Sequence, residues 1–243
     1  MDYFNQFLTS SISSFILELT AAIAGSFYLK TTAKTDTISK FLIYFLWFTL
    51  LFEIVGSYSP IAYFTNYEYF GFVKNTVFAG NYWWFNIYML ISFSFFIYYF
   101  NYFIENNTVK KIVSFLLKLF MVAGVINLAV SDVFFRGYSV FISIAGSLFV
   151  LGVIILFFFS LLKSEIIFSL KTFLPIYIAT GVLIFNLIVT PSDIYSQYFN
   201  SDNDLFVKLS GLILIIANIL MYSCFIIGFF ICTKKSTKGE EVF

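Results

Sequence analysis

The chain has 243 residues, of which 60% are hydrophobic and 11% charged, and its net charge is +1. Soluble domains carry roughly 45–50% apolar and about 25% charged residues, so this chain has too few charges to coat a water-soluble surface. Near-neutrality without a basic arm or stripe argues against nucleic acid as a partner. Histidine is absent, which removes the commonest zinc, haem and copper ligand and the usual general base. Cys224 and Cys232 stand eight residues apart in one apolar run, about 12 Å along a helix axis and too far to bridge. No metal or other cofactor is expected. The composition describes an all-α polytopic protein of the lipid bilayer.

A membrane-crossing helix needs roughly 17–25 predominantly apolar residues. Seven runs meet or approach that length, at 8–29, 41–59, 83–104, 112–133, 139–162, 172–190 and 205–231. They are continuously apolar rather than alternating, which excludes a strand barrel. The expected fold is one seven-transmembrane helix bundle spanning 1–243. The first run follows residues that include Asp2 but no Lys or Arg, so it reads as a retained span rather than a cleaved signal. It carries Glu18, with Ala21, Ala22 and Gly25 at i+3, i+4 and i+7, a small-residue stripe that permits close helix approach. The second run carries Glu53, with Gly56 at i+3, and ends near Pro60.

Between the second and third runs lies a turn-rich connector, 60–82, dense in aromatics such as Tyr63, Phe64, Tyr69, Phe72 and Phe78. It reads as an interfacial belt, with a lid over the bundle mouth as the alternative. Asn86 lies just inside the third run and Asn127 in the far half of the fourth, and the short connector after it holds Asp132 and Arg136. The sixth run begins near Pro175, carries Asn186, and is expected to close at Pro191. The connector that follows holds Asp193, Asp202 and Asp204 with no basic residue and reads as solvated surface. The seventh run carries Asn218 and precedes Lys234, Lys235 and Lys238.

Basic residues test the count independently. With the N-terminus outside and the C-terminus inside, the inner side holds Lys30, Lys34, Lys40, Lys110, Lys111, Lys118, Lys163, Lys171, Lys234, Lys235 and Lys238. The outer side holds only Lys74, Arg136 and Lys208. The bias recurs at every inner loop, as the positive-inside rule requires of a correct count. Six or eight spans would break it midway.

Glu18 lies 12 residues before Lys30 and Glu53 lies 13 after Lys40, which puts each roughly 18–20 Å above the inner boundary. Acids at that depth are costly and mark functional sites by default. Two carboxylates at one height on neighbouring helices cannot both ionise cheaply, so the pair is expected to hold a proton. Asn86, Asn127, Asn186 and Asn218 join them as candidate ligand- or proton-binding residues, with Asp132 and Arg136 at the rim. The plain alternative is that the amides only hydrogen-bond helices together.

The stretches LELTAAIAGSFYLK (17–30), FLWFTLLFEIVGSY (45–58) and NYWWFNIYMLISFSFFIYYF (81–100) resemble a group of uncharacterised seven-helix bacterial integral membrane proteins. The resemblance covers mainly the first three helices and implies no activity. Phe, Ile, Tyr, Asn and Lys are abundant beside a single Arg, which suits an AT-rich bacterial genome and a place in the bacterial inner membrane. A retinal protein would need a lysine in the middle of its last helix, where this chain has none. Membrane hydroxylases and desaturases would need histidine clusters. An enzyme is therefore not expected. The sequence points to a receptor or sensor with an outward-facing polar pocket for a small molecule, lipid or proton, signalling through a separate membrane or cytoplasmic partner. A small proton-coupled transporter and a structural subunit of a membrane complex are the alternatives.

Overall fold

A computed structural model describes residues 2–32, 36–195 and 204–240, all of them helix, turn or irregular connection with no strand. Lys34 and Asp202 lie outside the described residues. The helices are α1 (Asp2–Thr31), α2 (Thr37–Gly56), α3 (Tyr58–Phe64), α4 (Tyr82–Tyr102), α5 (Asn107–Val130), α6 (Val133–Arg136), α7 (Val140–Lys163), α8 (Leu174–Tyr195) and α9 (Asp204–Glu240). Among the described residues seven helical segments are long and apolar enough to cross a membrane: Ile12–Thr31, Thr37–Phe64, Tyr82–Tyr102, Asn107–Val130, Val140–Lys163, Leu174–Tyr195 and Lys208–Thr233. The chain is a multi-pass helical protein suited to a bilayer.

Polar residues at the run boundaries start the helices. Asp36 accepts from the Ser39 amide at 3.2 Å before α2, and Asn106 accepts from the Thr108 and Val109 amides at 2.9 and 3.1 Å before α5. Ser139 accepts from the Ile142 amide at 3.2 Å before α7. Each satisfies donors that a first helical turn leaves orphaned. The connector expected near 162–172 is a short 3-10 helix, Glu165–Thr172. Pro175 sits in the first turn of α8, where a missing amide costs nothing. Pro191 does not end α8, which runs on to Tyr195. Its missing N–H removes a single bond near the helix end, so Asp193 belongs to the helix rather than to a solvated connector.

Chain neighbours pack in sequence, α1 on α2, α2 on α4, α7 on α8 and α8 on α9, and α9 returns to pack along α1. Because α4 also packs directly on α7, six helices close a ring and α5 stands outside it, against α4 and α7. Val113, Phe120 and Gly124 of α5 are buried and Val109, Leu117 and Leu128 pack partly against the core, while most of its other apolar side chains face outward as a lipid-facing helix should.

The small-residue stripe of α1 faces the ring interior, with Ala21 and Ala22 fully buried. A Cβ at Gly25 would stand 2.8 Å from Ile43 and 3.1 Å from Phe229, so glycine is what lets α2 and α9 approach. The tightest approach to backbone is at Gly181, where a Cβ would meet the Met221 carbonyl oxygen at 2.9 Å. One half of the ring is filled solid. Ile97, Tyr99, Phe100, Ile154, Phe157, Ile178, Phe225 and Phe229 are buried there, and Phe45 stacks on Phe95 at 4.0 Å. The other half, toward the ends joined by the α2–α4 and α5–α7 connectors, is not filled.

Candidate functional site

That unfilled half is a cavity of about 570 Å³, within the range of small-molecule sites. All six ring helices line it, whereas α5 does not. Phe45, Phe96 and Phe225 line its deep end and Ser57, Pro60, Asn81 and Tyr138 its connector end.

Glu18 and Glu53 both line this cavity, and their carboxyls face one another. Glu18 is 2% exposed. Its Oε1 accepts from the Tyr222 hydroxyl at 3.3 Å, while its buried Oε2 has no hydrogen-bond partner within 3.5 Å. The Tyr88 hydroxyl, beside the same pair, donates to Thr49 Oγ1 at 3.2 Å. Tyr222 and Tyr88 thus flank the two acids from α9 and α4. The placement follows from local sequence: alanines one turn and a glycine two turns from Glu18 bring α1 against α2 and α9, and Gly56 one turn from Glu53 admits the Phe85 ring of α4.

The amides divide. Asn186 and Asn218 line the cavity with the acids. Asn186 is buried, with its Nδ2 donating to the Val182 carbonyl at 2.8 Å. Asn86 and Asn127 do not line it. Asn86 is fully buried and holds the connector between α5 and α7, donating to the Gly137 carbonyl at 2.9 Å and, at 3.4 Å, to those of Val133 and Phe134. Its Oδ1 accepts from the Ser139 amide at 2.8 Å. Asn127 accepts from the Ser139 hydroxyl at 2.7 Å. Both fix where α7 begins. Asp132 and Arg136 pair at 3.7 Å with their side chains 87% and 80% exposed and stand apart from the cavity; so exposed a pair contributes little.

Besides Tyr88 and Tyr222, two further titratable lining residues were not singled out as site residues in the sequence. Asp193, carried inward by the last turn of α8, accepts a hydrogen bond from Ser143. The aspartate-rich, base-free stretch from Pro191 was the available signal, masked by reading that proline as a terminator. Among the described residues, Tyr138 is the one titratable lining residue outside the spans. Tyr138 is 54% exposed as a residue, but shielding of its hydroxyl end, then Tyr82 and then the Glu53 carboxyl, push that hydroxyl up to about 12.

The aromatic connector is tied down. Tyr58 donates to the Phe78 and Gly80 carbonyls at 2.8 and 3.0 Å, Ser59 to the Ala79 carbonyl at 2.7 Å, and Asn81 to the Gly56 carbonyl at 2.8 Å. Trp84 donates to the Phe52 carbonyl at 2.8 Å and stacks on the Phe52 ring at 3.9 Å. Tyr63, Tyr69 and Phe72 turn outward, 67%, 61% and 80% exposed. Among the described residues no cluster of three His, Cys, Asp or Glu is arranged to hold a metal ion. Comparison with protein-family models, curated proteins and solved structures returns no match.

Proposed function

We propose that this chain is a receptor-like protein of the bacterial inner membrane that holds a small molecule in the cavity between its six ring helices. The observation that carries the reading is the convergence of Glu18 and Glu53 on one cavity of about 570 Å³. Acids in the hydrocarbon zone are retained where they serve a ligand or ion, and interhelical glue alone does not require two of them beside an unfilled space. The lysine and arginine distribution supports an orientation with the N-terminus out and the C-terminus in, and so the connector end of the cavity outside the cell. The outward-turned aromatics of the 60–82 connector favour a belt at headgroup depth over a lid. Ligand binding is passed to a separate signalling partner, and the chain is not an enzyme.

Among the described residues a packed aromatic layer beneath Phe45, Phe96 and Phe225 separates the cavity from the other end of the ring, which favours a receptor over a transporter. Sidedness of thiol labelling tests this. In a Cys224→Ser, Cys232→Ser background, Ser92→Cys and Ser147→Cys place thiols on the cavity wall. A charged thiol reagent is expected to label both in intact cells and neither in inside-out vesicles. Labelling from both faces would make transport the function, and labelling from neither would leave a structural subunit.

A further inference from the structure

We infer that the cavity selects a small organic cation: a primary or secondary ammonium, carried on an apolar body, that seats between Glu18 and Glu53. The inference rests on the cavity being a binding site and names the ligand class. Charge comes first. Glu18, Glu53 and Asp193 line the cavity, and among the described residues no Lys or Arg does. The basic residues at the same end, Lys74, Arg136 and Lys208, are all exposed. A lining with charges of one sign concentrates ligands of the opposite sign.

Hydrogen bonding selects the head group. Glu18 Oε2 is buried with no hydrogen bond within 3.5 Å and only the Glu53 carboxyl beside it, so a donor seated between the two acids finds acceptors on both. An ammonium brings two or three N–H donors and the charge the site lacks. The walls select the body. Tyr88 and Tyr222 flank the acids, and Phe15, Phe85, Phe93 and Phe185 add aromatic faces to a largely apolar lining; such faces attract cations and stack on apolar groups. A bare metal ion fits poorly, because no three-acid cluster forms among the described residues and the space far exceeds an ion.

The test uses the full chain in lipid nanodiscs with three probes that share a phenethyl body: phenethylammonium, phenethyl alcohol and 3-phenylpropanoate. Binding is read by thermal unfolding and by thermophoresis at constant pH and salt. Phenethylammonium is expected to bind at least tenfold more tightly than the alcohol and to raise the unfolding temperature, and the carboxylate is expected not to bind. Glu18→Gln and Glu53→Gln should each weaken the ammonium at least tenfold while leaving the alcohol within threefold, which separates loss of charge recognition from loss of the folded cavity. Equal binding of ammonium and alcohol overturns the cation inference and leaves the cavity a site for neutral molecules. Absence of any ammonium binding to the wild-type chain, with Ser92→Cys still labelled from outside, also overturns it. If Ser92→Cys is unlabelled from both faces, the binding-site reading itself fails.

Discussion

Replacing Asn86 by leucine should destabilise the protein without touching the cavity. The residue makes two well-formed bonds, 2.9 Å to the Gly137 carbonyl and 2.8 Å from the Ser139 amide, besides two at 3.4 Å. Side-chain hydrogen bonds inside membrane proteins contribute about 0.6 kcal/mol on average and up to roughly 1.7. Losing the two short ones therefore costs about 1–3 kcal/mol. The Ser139 amide, left without Asn86 at a buried position, places Asn86→Leu toward the upper end. At about 2–4 °C per kcal/mol for a chain of this size, the unfolding temperature should fall by about 2–12 °C. The assay is thermal unfolding in detergent followed by size-exclusion fluorescence. Asn127→Leu, which removes one bond to Ser139, should fall by less. Ser92→Cys labelling should be unchanged in the Asn86→Leu background. An unfolding temperature within 1 °C of wild type, or a loss of labelling at equal fold content, would refute the reading of Asn86 as a connector lock.

Other outcomes follow from particular contacts. Gly181→Leu would drive a side chain into the Met221 carbonyl at 2.9 Å and the Phe225 ring at 2.9 Å; overpacking of this kind costs about 1–3 kcal/mol or more, so the variant should lose monodispersity on size exclusion. Gly152→Leu, with nothing within 4 Å of its added Cβ, should behave as wild type. The Tyr138 hydroxyl is raised from 10.0 to about 12 although the residue is 54% exposed, so solvent screening keeps the effect small while the folded state holds its proton where the unfolded chain releases it. Its stabilising contribution is present below about pH 10 and is lost as pH rises toward 12. Wild type should lose stability against Tyr138→Phe over that window in denaturation at stepped pH.

The span count was legible because seven apolar runs and a recurring lysine bias are one-dimensional signals. Which helices enclose the cavity was not. In a bilayer, lipid-facing and core-facing sides are both apolar, so the α5 sequence gives no sign that it stands outside the ring and takes Asn127 with it. Depth could be counted from lysine anchors, which is why Glu18 and Glu53 were paired. Azimuth could not, so Asn86 and Asn186, both polar and both buried, looked alike although one ties a connector and the other lines the site. Asp193 was passed over because one turn of helix continues beyond Pro191. The unfilled volume itself depends on how bulky rings from six helices interdigitate, which no local pattern encodes.

The central claim, that Glu18 and Glu53 meet in one cavity, is tested most directly by a double-mutant cycle. Glu18→Gln, Glu53→Gln and the double variant are compared with wild type by thermal unfolding in nanodiscs without ligand. Groups in contact couple by about 0.5–3 kcal/mol, whereas distant groups add to within about 0.3–0.5. A coupling above 0.5 kcal/mol is the predicted result. Additive single-variant effects would mean that the two acids do not share a site, and would contradict the account.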